Sequence, residues 1–274
     1  MKIAIDPNKS AYDNATVYFD RAKRMKGKSE EAGRQIEKTK KEISELERRE
    51  AAKAMETERA ERGTAAAVPI RKEWYHSYHW FMTSDGFLAI GGKSAGQNEE
   101  VVKKHLAAED LFFHADIRGG SVVVLKNGKK APDSSIEQAA QFAACNSNAW
   151  KVGYATIDVY SVPKDQVSKS PPPGEYLEKG SFFISGTKRY FRGMPLKLLI
   201  GRMTEEHGGR IECVPERYGM KGFSTCFAME PGRLDKNVVA EKLSRQLSQG
   251  GRVVKKDDLL PLIPAGATSF MKMK

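Results

Sequence analysis

The stretch HWFMTSDGFLAI, His79 to Ile90, holds two apolar runs, His79 to Thr83 and Phe87 to Ile90, on either side of Ser84-Asp85-Gly86. An Asp-Gly pair tolerates the positive φ of a tight turn, so the spacing predicts a β-hairpin. GGKSAG follows, Gly91 to Gly96, and Ser94 with Gln97 three residues later has the spacing of a capping box opening a helix through His105. Leu111 to Ala115 and Ser121 to Lys126 read as short strands, the second ending in the turn pair Asn127-Gly128. Ser134 and Glu137 repeat the capping-box spacing, which predicts a helix from Ser134 or Ser135 to about Trp150.

Further along, Tyr154 to Val162, Ser181 to Ser185, Leu196 to Arg202, Arg210 to Val214 and Phe223 to Met229 have strand character. Pro231-Gly232 reads as a turn and Leu234 to Leu247 as a late helix. Strands in adjacent groups with helices interspersed irregularly indicate the α+β class, a mixed or antiparallel sheet with packed helices.

Before residue 63 the chain has a different physics. Ala11, Ala15, Tyr18, Ala22 and Met25 recur at alternating four- and three-residue steps, one helical stripe with Asn8 or Ser10 as cap. Arg34 to Arg62 consists of strong helix formers with a thin apolar seam at Ile36, Ile43 and Leu46. Such a helix buries little alone and needs a partner helix or surface charge pairs. The expected organisation is a coiled-coil-like arm over 1–62, a linker over 63–73 broken by Pro69, and a compact domain over 74–274 with a C-terminal extension from about 205.

The chain has 274 residues, 46 Lys plus Arg against 35 Asp plus Glu, a net charge of +11 and a pI near 9.4. Residues 1–62 hold 16 basic and 13 acidic residues, so +3 lies there and +8 in the remainder. A polyanion is the first candidate partner, and nucleic acid is the commonest one. Three cysteines, at 145, 213 and 226, have no CxxC spacing, which argues against a disulfide framework or a zinc site and for a reducing, cytoplasmic setting. No apolar run approaches the roughly 20 residues of a membrane span, and MKIAIDPNKS lacks a signal peptide's apolar stretch, so no membrane partner is expected.

Catalytic signatures are missing. GGKSAG sits where a phosphate-cradling loop would, yet Phe87 occupies the position six before Lys93 where a Walker loop needs glycine. A helix N-terminus bearing Lys93 still offers one phosphate a cation. The histidines at 76, 79, 105, 114 and 207 show no HExxH pattern. His114 and Asp116 stand two apart on one strand face, which suits either a general base with its orienting carboxylate or a pair that fixes a loop by hydrogen bonds. No nucleophile motif accompanies them, and no enzyme activity, cofactor or metal is expected.

TKRYFRG, Thr187 to Gly193, interleaves Lys188, Arg189 and Arg192 with Tyr190 and Phe191. Cations neutralise phosphates while rings stack on unpaired bases, so this segment fits single-stranded RNA; it also fits a strand end with rings inward and charges in water. Lys126 in LKNGKK, Lys164 and Lys169 in KDQVSKS, and Arg118 in the Ile117-Arg118-Gly119 loop complete the candidate RNA contacts. Pro171-Pro172-Pro173-Gly174 stiffens the loop after Ser170.

Four blocks of this second region resemble the RNA-binding domain of the NFACT family, the group of nuclear-export-mediator-factor and bacterial fibronectin-binding relatives. They are Trp74 to Glu99, Asp110 to Gly120, Ala143 to Trp150 and Gly174 to Phe191. The last two are most similar to the archaeal and eukaryotic branch, and Asp6 to Lys28 resembles the beginning of that family's coiled-coil arm. The resemblance places family motif positions on Trp80, Gly92, Asn98, Asp110, His114, Asp116, Gly174, Gly186 and Lys188. The glycines and the His114-Asp116 pair are read as shaping the domain and Lys188 as an RNA contact. Thr187-Lys188-Arg189 departs from the family's usual Lys-Lys-Asn.

What the resemblance implies is a factor of ribosome-associated quality control. Such a factor binds tRNA and rRNA on stalled large ribosomal subunits and supports tailing of the nascent chain, the ribosome itself forming the peptide bonds. The family's large N-terminal domain, which selects tRNA, is expected as a separate domain or chain, so this polypeptide should bind tRNA without selecting it. A competing reading is a protein-interaction scaffold that recruits a ligase or a ribosomal protein without touching RNA.

Overall fold

The computed structural model describes residues 73–170, 177–248 and 253–273, together with scattered positions between 7 and 45. The chain divides into two units, Met1–Arg71 and Lys72–Lys274. In the first, the described positions from 11 to 45 are helical and exposed. Ser10 Oγ accepts from the Asp13 amide at 3.1 Å and donates to the Asp13 carboxylate, as the expected cap requires. Most of the seam between Arg34 and Arg62 and all of the 63–72 part of the linker lie outside the described residues.

The second unit is α+β and its sheets are antiparallel. β1 (His79–Met82) and β2 (Leu88–Gly91) form the expected hairpin, with Phe81 opposite Ala89. Gly86 takes φ +83° in its turn. Ser94 accepts from the Gln97 amide and opens α1 (Ala95–Glu100), which passes into a π turn over Val101–His105. β3 (Leu111–Ala115) and β4 (Val122–Leu125) follow, and Asn127 after β4 adopts the left-handed region at φ 54°.

The next helix corrects the capping expectation. α2 runs Asp133–Cys145, one residue earlier than Ser134, and both serine hydroxyls donate to Asp85 in the β1–β2 turn instead of capping. It also ends before Trp150. Ser147 interrupts it and caps a separate α3 (Asn148–Val152) by accepting from the Ala149 amide at 3.2 Å.

β5 (Thr156–Pro163), the small pair β6 (Val167–Ser168) and β7 (Phe183–Ile184), and β8 (Arg189–Pro195) complete the first sheet region. Its six-stranded order is β1-β2-β4-β3-β5-β8. A second sheet joins β9 (Leu198–Met203), β10 (Ile211–Pro215), β11 (Phe223–Leu234) and β12 (Thr268–Lys272) in the order β10-β9-β11-β12. The turn expected at Pro231-Gly232 lies within β11, where the pairing register with β12 shifts between Pro231 and Leu234, a bulge rather than a reversal. α4 (Lys236–Leu247), capped by Asp235, buries Val239, Ala240, Leu243 and Leu247 on one stripe.

α2 holds the unit together. Ten of its thirteen residues are buried, because it packs against both sheets and so needs an apolar surface nearly all round. Its alanines 139, 140, 143 and 144 admit close approach, and its two buried glutamines are fully used. Gln138 accepts from the Ser84 amide, while Gln141 donates to Pro195 O and accepts from the Arg217 amide at 2.9 Å. Phe113 and Val123 of the first sheet, Phe142 and Trp150, and Ile200 and Phe227 of the second belong to one core cluster. The residues beyond 205 are therefore part of the same core and not an appendage. On the other face of the first sheet, α1 and the π turn cover a smaller cluster of Ile90, Phe112, Val124, Tyr160 and Val162.

Candidate nucleic-acid interface

At the Ala115 end of β3 the chain leaves a cleft of about 740 Å³. Its walls come from the start of α1, the loop after β3, the junction of α2 and α3, and the segment 177–182. Lys93, Arg118, Lys151 and Lys179 line it, and among the described residues Glu178 is its one carboxylate. Arg118 is exposed, its guanidinium 3.7 Å from Glu178.

The floor is built by close packing at two glycines, the motif residue Gly92 and Gly120 at the end of the second family block. A Cβ at Gly92 would stand 2.3 Å from Asn98 Oδ1, and one at Gly120 would stand 3.0 Å from the His114 ring. Asn98 is buried and bridges α1 to β4, accepting from the Val122 amide at 3.2 Å and donating to Gly120 O. Ser121 donates to Gly92 O at 2.7 Å. These bonds seat His114 beside the cleft, where burial pushes its imidazole below the ordinary range despite hydrogen bonds to the backbone of Ala115 and Gly120. The ring is thus a neutral wall group.

From this floor a line of rings crosses the sheet face opposite α2. Phe182 and Phe112 are 6.0 Å apart, Phe112 and His114 6.4 Å, His114 and Tyr160 5.9 Å, and Tyr160 and Tyr190 6.1 Å, centroid to centroid. Cations cap both ends: Lys169 lies 4.9 Å from the Phe182 ring, Lys188 4.2 Å from Tyr160, and Arg192 4.2 Å from Tyr190. Burial, then the charge of exposed Asp116, pushes the Tyr160 hydroxyl up to about 12. Phe112 and Tyr160 are buried, so the accessible stacking surface belongs to Tyr190 and Phe182.

The structure brings Lys93, Arg118, Lys169, Lys188, Tyr190 and Arg192 to the cleft and this track. It separates three others. Arg189 projects to the α2 side of β8, where it pairs with Asp133 at 2.9 Å and lies 5.1 Å from the core ring Phe191. Alternation along a strand imposes that split, since Lys188, Tyr190 and Arg192 share one parity and Arg189 and Phe191 the other. Lys126 belongs to the opposite end of β4, paired with buried Asp110 and donating to His105 O at 2.6 Å. Lys164 sits in the turn after β5, at that same far end, since Pro163 pairs with Leu111.

Of the remaining motif positions, Asp110, Trp80 and Gly186 make their contacts within the domain. Asp110 also accepts from the amides of Ala107 and Asn127 at 2.7 and 2.8 Å. Trp80 is half-buried, with the Arg210 guanidinium 5.5 Å from its ring. Gly186, at φ +71°, is packed against Gln166, and Gly174 lies outside the described residues. Lys151 and Lys179 were not among the sequence candidates. Each is a single lysine among ordinary neighbours, with no local signal to single it out.

Comparison with known proteins bears on this site. The profile of the "NFACT protein RNA binding domain" matches residues 77–186, and that of the "NFACT N-terminal and middle domains" matches residues 1–65. The chain belongs to the NFACT family. It is 35% identical over 206 residues to the archaeal Rqc2 homolog aRqcH of Methanocaldococcus jannaschii, covering 74% of this chain and 30% of that one. It is 35% identical over 191 residues to the ribosome quality control complex subunit NEMF homolog of Drosophila melanogaster, 69% of this chain and 18% of that protein. Human ribosome quality control complex subunit NEMF is 33% identical over 193 residues, 70% and 17% of the two chains. The chain thus spans less than a third of the length of these relatives. The NFACT RNA-binding match contains every residue of the cleft's β3 wall and aromatic floor, and stops before Lys188, Tyr190 and Arg192. Among the described residues no helix is long and apolar enough to cross a membrane.

Proposed function

We propose that the second unit is a noncatalytic RNA-binding module of a ribosome-associated quality-control factor. It grips tRNA or rRNA on the large ribosomal subunit by the cleft and the aromatic track. The observation that carries this reading is the convergence of Lys93, Arg118, Lys151 and Lys179 around one cleft, continuous with a ring track that ends in Lys188, Tyr190 and Arg192. The names of the relatives, ribosome quality control complex subunits, support the cellular setting.

The chemistry follows from the groups present. Lysine and arginine heads neutralise phosphates and release counterions, which makes affinity fall steeply with salt. Tyr190 and Phe182 offer flat surfaces on which unpaired bases stack whatever their sequence. His114 stays neutral and contributes shape. Peptide-bond formation in nascent-chain tailing then belongs to the ribosome, and selection among tRNAs to another domain or chain.

The test is equilibrium binding of the full chain to tRNA and to large-subunit rRNA fragments across a salt series, with sedimentation on ribosomes before and after nuclease. Engagement of several phosphates gives a logarithmic slope of about −0.7 to −0.9 per contact. Absence of binding at low salt, or ribosome association that survives nuclease unchanged, would favour the protein-scaffold alternative.

A further inference from the structure

The junction of α2 and α3 places Asn146 and Asn148 in one wall of the cleft, with Ser147 between them. Both asparagines are half-buried, and each is held by its nitrogen. Asn146 Nδ2 donates to Phe142 O at 2.9 Å, and Asn148 Nδ2 donates to Arg118 O at 3.2 Å. Among the described residues neither Oδ1 has a hydrogen-bond donor. Ser147, by contrast, is used up, its hydroxyl donating to Ala144 O and accepting from the Ala149 amide. Each carboxamide thus keeps an acceptor beside a second N–H, fixed in orientation by the bond its nitrogen already makes.

The other walls suit a base. His114 and Phe182 are half-buried rings that line the cleft. Pro264 and Ala265 close a further side from chain beyond the family match. That loop is seated on α3, since a Cβ at Gly266 would stand 3.0 Å from Lys151 Cα. The volume of about 740 Å³ falls within the roughly 300–1,000 Å³ of small-ligand sites. Arg118, Lys151 and Lys179 are exposed lining residues. A duplex keeps its bases stacked inside and cannot fill such a concavity, whereas an unpaired nucleotide can insert its base and leave its phosphates outside.

The edge chemistry agrees. Every base carries a donor next to an acceptor on its Watson–Crick edge: N6–H and N1 in adenine, N4–H and N3 in cytosine, N1–H and O6 in guanine, N3–H and O4 in uracil. A carboxamide with a free oxygen and a free N–H matches any of these pairs, and in a duplex the opposite base has already taken them.

Resting on the RNA-binding reading above, we propose that the cleft is a pocket for one unpaired nucleotide, whose base enters beside Phe182 and His114 and pairs its Watson–Crick edge with Asn146 or Asn148. Arg118, Lys151 and Lys179 take the flanking phosphates. The pocket distinguishes unpaired from paired RNA and not one base from another.

The test uses the full chain and two RNAs of equal length, a blunt duplex and a hairpin whose loop holds unpaired adenine and cytosine. The parent chain binds the hairpin roughly tenfold more tightly than the duplex at one salt concentration. Dimethyl sulfate, which methylates free adenine N1 and cytosine N3, finds a loop base protected in the complex. The double variant Asn146→Ala with Asn148→Ala, assayed below its melting temperature, loses that protection and most of the preference. Its salt slope stays that of the parent, because the phosphate contacts remain. Equal affinity of the parent for both RNAs, or no protected loop base, overturns the pocket and leaves the RNA reading standing; neither result depends on a variant folding. Protection that persists in the double variant overturns the assignment to the two asparagines. Absence of binding to either RNA at low salt removes the pocket and the RNA reading together.

Discussion

Trp150 Nε1 donates to Thr268 Oγ1 at 3.0 Å, a buried bond between residues 118 apart in sequence. Trp150 lies in α3, beside the cleft wall that includes Lys151, and Thr268 begins β12, an edge strand of the second sheet. Chain lying beyond the family's RNA-binding match thus fastens the helix that shapes the candidate interface. Thr268→Val removes the acceptor and strands a buried indole N–H, and is expected to cost about 1–3 kcal/mol in denaturant unfolding. Truncation after Pro264 removes β12 entirely and should abolish the cooperative transition.

The two faces of β8 give opposite expectations for neighbouring arginines. Arg192→Glu, like Lys188→Glu, places a negative charge on the track and should lower RNA affinity at least about tenfold at low salt, through lost phosphate contacts and repulsion. Arg189→Glu, on the α2 side beside Asp133, should change affinity less than about twofold, since its exposed ion pair is worth at most about 1 kcal/mol to the fold. Filter binding of the three variants separates them.

Lys126→Met tests the reassignment of that lysine from RNA contact to structure. It leaves the buried Asp110 carboxylate with only its two amide donors and a lost cation. A stability loss of about 3 kcal/mol is expected from breaking a buried pair on one side. The salt slope of RNA binding at a temperature where the variant is folded should match the parent, and a slope reduced by about one would return Lys126 to the interface.

Gly92→Ala is expected to be severe. Its Cβ would lie 2.3 Å from Asn98 Oδ1 and 2.6 Å from the Asn98 amide, backbone that cannot yield. Displacing Asn98 also breaks its bond from the Val122 amide, so a loss of roughly 2–4 kcal/mol and a weakened cleft are expected together. Thermal melts and RNA titration of the same sample report both.

Acid should destabilise the second unit through its histidines. His79 has a folded value of about 4 against an unfolded 6.5, so the unfolded chain binds the extra proton between those limits. The contribution is fully present above pH 6.5 and is lost as pH falls towards 4, on the order of 3 kcal/mol in all. His114 is shifted in the same direction. His79→Gln should flatten the fall in melting temperature between pH 7 and 4.5, and a slope identical to the parent's would show that His79 is not buried in neutral form.

Much of the fold was legible because its signals are local. The Asp85-Gly86 hairpin, the Ser94 cap and the left-handed Asn127 are each dictated by a residue's own conformational preferences. The helix start at Asp133 was not, since Ser134 and Ser135 look like caps until Asp85, 50 residues away, claims Ser135. The bulge at Gly232 was hidden in the same way. Its Cβ would meet Ser269 at 1.9 Å, and only the partner strand turns that glycine from a turn residue into a pairing residue.

The sequence alone determined the α+β class, the two-part organisation of composition, the basic surplus and the family blocks, because these depend on residue type and spacing along one chain. Tertiary structure decided which cations share a surface. Strand alternation tells Lys188 from Arg189 but does not say which side α2 covers, and no local pattern brings Lys93 and Lys151 to one cleft. Electrostatic attraction to a polyanion depends on distances between charges in space, and those distances are set by packing across more than 100 residues of intervening chain.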